Sequence, residues 1–162
     1  MFIYSVRAST LKMASVLLLF VVLVGVFAFT GQGGFVSAMS STIEVNYSGI
    51  KSKDDRIAFI HDLGIEIDPS TEESVAFRMP ENFDRVILGY NELQKRQGLD
   101  LSKYKNKRVT RYTYKVTNYN YDGDVYANLF VHRGRIVACD LSSANPDGFV
   151  IPITMVDRAR LK

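Results

Sequence analysis

The chain has 162 residues, with 20 basic and 17 acidic side chains and a formal net charge of +3. This small excess of positive charge does not by itself predict a nucleic-acid or other polyanionic partner. The single cysteine, Cys139, excludes an internal disulfide bond, so the fold must depend on ordinary packing.

An apolar stretch at residues 13–30 contains no charged residue. As a helix it would extend about 27 Å, close to the hydrocarbon thickness of a bilayer. Arg7 and Lys12 precede it, and no charge follows until Glu44. The positive-inside rule then predicts a single-pass membrane protein, with residues 1–12 in the cytoplasm and the domain outside.

A cleaved signal peptide is the alternative interpretation of the same stretch. Val36-Ser37-Ala38 has the small-residue pattern that precedes a cleavage site, a few residues after the apolar run. Cleavage near Ala38 would release a secreted protein instead of an anchored one.

The region after the apolar stretch divides by composition into a tether at residues 31–51, a domain at 52–154 and a tail at 155–162. Residues 157–162 of this tail are expected to be frayed. The tether is rich in glycine, serine and threonine. Ser52 and Asp55 have the spacing of a capping box, and Gly64 is a typical stop signal. The sequence therefore predicts a first helix between them.

Two short strands are predicted next, at residues 65–67 and 74–79, with a turn at 68–70 between them. A second, amphipathic helix is predicted at 82–97 because apolar residues recur there at spacings of three and four. Residues 99–106 read as a polar connection.

Alternating apolar and polar residues predict strands at 107–119, 125–132 and 135–141, with a further strand at 149–154. Short turns join them, including the Arg133-Gly134 hairpin. The predicted fold class is α+β, a small domain in which two helices pack on one face of an antiparallel sheet.

A resemblance to a known family lies in the second helix and the following strand. The residues that carry it are Tyr90-Asn91, Leu93-Gln94-Lys95, Gln97-Gly98, Asp100-Leu101, Tyr104, Lys107 and Asn118-Tyr119. These resemble an uncharacterised bacterial family, domain of unknown function 4830 (DUF4830). The resemblance implies short single-span extracytoplasmic proteins of clostridial-type, Gram-positive bacteria, and it implies no activity.

Residues 95–115 are rich in lysine and arginine, with tyrosines interleaved and Asp100 as the single acid. This pattern is compatible with a solvated sheet face, or with binding of anionic lipid headgroups or phosphate-bearing wall polymers. Nucleic acid is not an expected partner, because the predicted location is outside the membrane.

The amides of the second helix could be structural or could form the polar rim of a recognition groove, since amides near a packing face need hydrogen-bond partners. The candidate ligand-binding residues are Tyr90, Asn91, Gln94, Gln97, Tyr104, Arg108 and Arg111.

No nucleophile elbow, phosphate loop or zinc motif is present, so the sequence predicts no catalytic residue, metal or cofactor. The expected function is a membrane-anchored extracytoplasmic binding module with a protein partner in the cell envelope. The alternatives are a binder of anionic polymer or lipid headgroups, and a small envelope hydrolase that uses a carboxylate or His132.

Overall fold

The structure is a computed structural model that describes residues 45–145 and 147–162. These residues belong to one compact unit, Val45–Lys162. The predicted cytoplasmic segment, the predicted span and most of the tether lie outside the described residues. No helix in the described ranges is both long enough and apolar enough to cross a membrane.

Two helices and five strands make up the described unit. In chain order they are α1 (Lys53–Asp62), β1 (Ile67–Arg78), α2 (Arg85–Lys95), β2 (Arg108–Val116), β3 (Val125–His132), β4 (Arg135–Ser143) and β5 (Val150–Pro152). The strands form one sheet in the order β1-β2-β3-β4-β5, and each neighbouring pair is antiparallel. The predicted α+β class is confirmed.

Helix α1 begins with the predicted capping box. Ser52 Oγ accepts a hydrogen bond from the Asp55 amide at 3.1 Å, and the Asp55 carboxylate accepts one from the Ser52 amide at 2.7 Å. This satisfies two amides that a helix start leaves without partners. The helix buries Phe59 and Ile60 in the larger hydrophobic core.

Strand alternation divides the sheet into two faces. Tyr114, Ala127 and Leu129 are fully buried on the face that α1 covers, which we call the first face. Their strand neighbours point to the opposite, second face, where Arg111 lies beside Phe130.

Helix α2 contacts the second face. The Tyr90 ring lies 5.8 Å from the Phe130 ring, and the Tyr90 hydroxyl bonds to Asp140, which neighbours Asn128 on that face. The helices therefore contact opposite faces, which differs from the predicted arrangement with both on one face. The amphipathic pattern of α2 shows which side is buried but does not specify which face of the sheet receives it.

The outer edge of β4 holds α2 in place. Strand β5 ends at Pro152, opposite Asp140, so the backbone of Cys139 has no strand partner on that side. Gln94 Oε1 accepts from the Cys139 amide at 2.9 Å, and Gln97 Nε2 donates to the Cys139 carbonyl at 2.6 Å. Two side-chain amides thus take the place of a strand at this edge.

Strand β1 combines the two short strands that the sequence predicts. It is continuous over Ile67–Arg78, with an irregular register between Asp68 and Glu73. There Thr71 Oγ1 donates to the Asp68 carbonyl and accepts from the Lys115 amide, so a side chain completes the ladder. The predicted turn is a bulge in one strand.

The C-terminal segment packs on the unit and is not a frayed tail. Leu161 packs against the larger core and bridges to Tyr119, and the Lys162 amide donates to the Asn118 carbonyl at 2.8 Å. The polar composition of residues 157–162 concealed these backbone contacts, which depend on a distant loop.

Replacing Gln94 by Met tests the edge contact. The change keeps the length of the side chain but leaves the buried Cys139 amide without an acceptor, and we expect the free energy of unfolding to fall by about 1–3 kcal/mol. Urea denaturation measures this difference. Arg96→Met, at the exposed residue that directly follows α2, is the control, and equal stability of the two variants would contradict the structural role of Gln94.

Candidate functional site

A cleft of about 490 Å³ lies at the end of the sheet where β1 ends, β2 begins and β3 turns into β4. Its lining residues are Arg78, Asn106, Lys107, Arg108, Thr110, Val131, His132 and Arg133. Four of these carry a full positive charge, and no acidic side chain is among them. We call this site the basic cleft.

The strand register brings these cations together. Arg78 pairs with Arg108 across β1 and β2, Thr110 pairs with Val131 across β2 and β3, and the β3–β4 turn follows directly. Residues from three separate parts of the chain therefore reach the same end of the sheet. Only Lys107 and Arg108 among these cations belong to the basic segment that the sequence singles out.

Hydrogen bonds hold two members of the basic cleft. Arg78 Nη1 donates to the Asn106 carbonyl at 2.7 Å. His132 Nδ1 lies 2.6 Å from the Arg108 carbonyl, and because a carbonyl only accepts, Nδ1 carries the proton. The Tyr104 ring lies edge-on to His132 at 5.6 Å. These contacts orient the imidazole and leave Nε2 on its other side.

A second cleft of about 340 Å³ adjoins the first and shares Thr110, Val131 and Arg133 with it. Ile50, Lys51, Arg56, Tyr112 and Gly134 complete its lining. We call it the adjoining cleft.

The guanidinium of Arg56 in the adjoining cleft is already bonded to other residues of the domain. Its Nε donates to the Tyr114 hydroxyl at 2.9 Å, its Nη2 donates to Glu72 at 3.1 Å, and its Cζ lies 3.7 Å above the Tyr112 ring. Its charge is neutralised by Glu72. The cations of this cleft with no acidic partner among the described residues are Lys51 and Arg133.

The predicted amide residues are buried and serve the fold. Asn91 accepts from the Leu101 amide at 2.7 Å and donates to Asp100 at 3.1 Å, which secures the connection after α2. Gln94 and Gln97 bind the edge of β4 as described above. Gln94 Nε2 is buried without a hydrogen-bond partner among the described residues.

A polar network on the second face includes residues that the sequence analysis missed. The Tyr90 hydroxyl donates to Asp140 Oδ2 at 2.5 Å, and Asn128 Nδ2 donates to Asp140 Oδ1 at 2.8 Å. Thr113 donates in turn to Asn128 Oδ1 at 2.9 Å. The sequence does contain a signal for this network, because Asp140 is an acid within the otherwise apolar run Ile136–Leu141. A buried carboxyl group requires hydrogen-bond donors nearby.

Burial dominates the acid–base behaviour of this network. It raises the pKa of Asp140 above its usual 3.8, against the hydrogen bonds from Tyr90 and Asn128 and the charge of Arg111, which lower it. Burial, followed by the negative charge of Asp140, raises the pKa of Tyr90 well above 10. Tyr90 therefore remains a hydrogen-bond donor at neutral pH.

The structure separates the seven candidate ligand-binding residues. Arg108 lines the basic cleft, and Tyr104 lies against its His132. Arg111 lies on the second face near the Tyr90–Asp140 pair, three residues from Arg108 and on the other side of the strand. The three amides belong to the interior.

Residues 59–141, just over half of the chain, match the family model described as a domain of unknown function (DUF4830). The chain belongs to this family. The matched DUF4830 region contains Arg78, Lys107, Arg108, His132 and Arg133, which are all the charged residues and the histidine of the basic cleft.

No curated protein and no solved structure matches the chain. Within the described residues, no group of three or more His, Cys, Asp or Glu side chains is placed to hold a metal ion.

Replacing Asp140 by Asn tests the buried carboxyl. Folding raises the pKa of the Asp140 carboxyl, so the folded protein binds its proton more tightly than the unfolded chain does. The stability that this proton contributes is therefore lost as the pH rises from about 3.8 through the pKa of the folded state. We expect the stability of Asp140→Asn relative to the wild type to increase over that interval.

Urea unfolding measured at several pH values between about 3.5 and 7 follows this difference. Glu73→Gln, an exposed carboxylate paired with Thr113 on the same face, controls for the loss of one negative charge. A relative stability of Asp140→Asn that does not change with pH would contradict the assignment.

Proposed function

We propose that the chain is a membrane-anchored, extracytoplasmic binding module that recognises an anionic ligand through the basic cleft. The observation that supports this is the convergence of Arg78, Lys107, Arg108 and Arg133 in one cleft with no acidic lining residue. Like charges brought together repel each other, and an anion in the cleft removes that repulsion.

The chemistry of the side chains favours a phosphate-bearing or carboxylate-bearing ligand. A guanidinium group presents donors in a planar fork that can bind two oxygens of one such group, and a lysine adds a point charge. The neighbouring hydroxyl of Thr110 is a further donor. The cleft is open at the surface, which suits a ligand that arrives from solution and leaves again.

The predicted location of the domain outside the membrane restricts which anionic ligands are available to it. If residues 13–30 span the membrane and the domain lies outside, the abundant anions nearby are lipid headgroups and phosphate-bearing envelope polymers. The N-terminal sequence supports this location, and binding measurements on the full chain can test the ligand class independently of it.

Replacing Arg108 by Glu tests the proposed function. The charge reversal in the basic cleft should weaken binding of linear tripolyphosphate by about tenfold or more, a loss of at least about 1.4 kcal/mol. Isothermal titration calorimetry of the full-length chain in detergent measures this affinity. Because the contacts are ionic, the wild-type affinity should also fall steeply between about 50 and 200 mM salt.

Arg96→Glu is the matched control, since it reverses an exposed arginine at the end of α2, away from the cleft lining. It should bind nearly as well as the wild type. Equal losses in the two variants would indicate attraction by overall charge, and no binding by the wild type would contradict an anionic ligand of this class.

A protein partner in the envelope is the second candidate. The observation that favours it is the exposure of two apolar side chains on α2, with Val86 78% and Leu88 51% accessible. Exposed apolar side chains such as these gain free energy when a partner protein removes them from water.

In-cell crosslinking of the full-length tagged chain, followed by mass spectrometry, tests this candidate. Val86→Asp should abolish recovery of a reproducible crosslinked protein, while Arg96→Asp, at the residue that directly follows α2, should preserve it. Recovery that is unchanged by Val86→Asp would remove this surface as the docking site.

A further inference from the structure

The β3–β4 turn places an arginine in a backbone conformation that arginine disfavours. Arg133 and Gly134 lie between the paired residues His132 and Arg135, with φ angles of 47° and 75°. Two-residue hairpins with positive φ at both positions favour Asn-Gly, because asparagine tolerates the left-handed region better than longer side chains do. Turn formation alone does not explain an arginine at this position.

The second left-handed residue other than glycine lies in the same cleft. Among the described residues, the positive-φ positions that are not glycine are Asn106 (φ 60°) and Arg133, and both line the basic cleft. Unfavourable backbone conformations concentrate at functional sites, where a side chain must be presented in a particular direction. Asparagine is common in the left-handed region, so the unfavourable conformation in this cleft is that of Arg133, and it supports a functional use of the Arg133 side chain.

Arg133 has no structural role visible in its contacts. Its side chain is exposed and forms no ion pair or side-chain hydrogen bond among the described residues. Arg56, which also lines the adjoining cleft, is by contrast buried and bonded to Tyr114 and Glu72. Arg133 therefore has donors available for a ligand.

Arg133 is also the cation common to the two clefts. The basic cleft adds Arg78, Lys107 and Arg108, while the adjoining cleft adds Lys51 and the Tyr112 side chain. A ligand with two anionic groups could place one in each cleft and have both contact the shared guanidinium.

We propose that Arg133 joins the two clefts into one binding site for an extended anion that carries at least two phosphate groups. This inference rests on the proposed function and specifies its ligand. In this site Arg133 contacts both phosphates. The first phosphate is also bound by Arg78, Lys107 and Arg108, and the second is also bound by Lys51. Because the second phosphate is tethered to the first, it binds at a high effective concentration, so the linked ligand binds more tightly than a single phosphate.

Arg133→Gly is the decisive variant. Glycine adopts positive φ freely, so the turn is retained or strengthened while the guanidinium is removed. The full-length wild type should bind linear tripolyphosphate at least about tenfold more tightly than orthophosphate, and Arg133→Gly should lose most of this preference. Its melting temperature should equal or exceed that of the wild type.

Two further variants test whether the loss of preference is caused by removal of the Arg133 guanidinium and not by a change in the backbone. Asn106→Gly relaxes the other left-handed residue of the basic cleft without removing a cation, and it should keep the preference for tripolyphosphate. Arg133→Lys restores a positive charge without the planar fork, and it should recover part of the lost preference. Thermal unfolding of each variant confirms that the fold is intact.

The outcomes separate the inference from the proposed function. If the wild type binds none of these phosphates, the proposed function fails. If the wild type binds them and Arg133→Gly keeps the same preference for tripolyphosphate, the joined site is overturned while the anion-binding function stands.

A parallel measurement with cardiolipin vesicles, whose lipid carries two linked phosphates, distinguishes the source of the phosphates. Arg133-dependent binding to vesicles that exceeds binding to tripolyphosphate supports the joined site with lipid headgroups as the source. Arg133-dependent binding of tripolyphosphate that exceeds binding to vesicles supports it with a linear phosphate chain as the source.

Discussion

The contact of Gln94 in α2 and Gln97 just after it with the backbone of Cys139 is the constraint on which the rest of the domain depends. An open strand edge in the interior would leave an amide and a carbonyl without partners, at a substantial cost in free energy. Gln94 and Gln97 supply both partners at 2.9 and 2.6 Å where β5 has ended. The helix is thereby held at one height along β4, and Tyr90 reaches Asp140 from that position.

The position of α2 determines how the chain enters β2, and hence how the basic cleft is formed. Asn91 accepts a hydrogen bond from the amide of Leu101, the first residue of the short helical turn after α2. At the end of that turn the Lys107 amide donates to the Tyr104 carbonyl at 3.0 Å. Lys107 and Arg108 emerge from this turn beside Arg78. The buried amides thus act on the surface site indirectly, by positioning the segment that carries its cations.

A modest net charge of +3 conceals an uneven distribution of charge. Acids such as Glu72 and Asp140 are engaged with Arg56 and Tyr90, whereas the cations at the end of the sheet meet no acid in their cleft. Local concentration of charge, and not the total, decides whether an anion is attracted. The domain therefore combines a neutralised interior with an exposed basic site suited to a reversible ionic ligand.

The sequence by itself determined the α+β class, the strands that follow α2, the capping box of α1 and the hairpin at Arg133-Gly134, because these depend on local periodicity, capping and turn chemistry. It also placed the amides of α2 in a structural role as one of two alternatives. Only the tertiary structure decided which face α2 contacts, that Arg108 and Arg111 lie on opposite sides of β2, and that Arg78 and Arg133 line the same cleft. Those facts depend on strand register and long-range pairing, and no local pattern in the sequence encodes them.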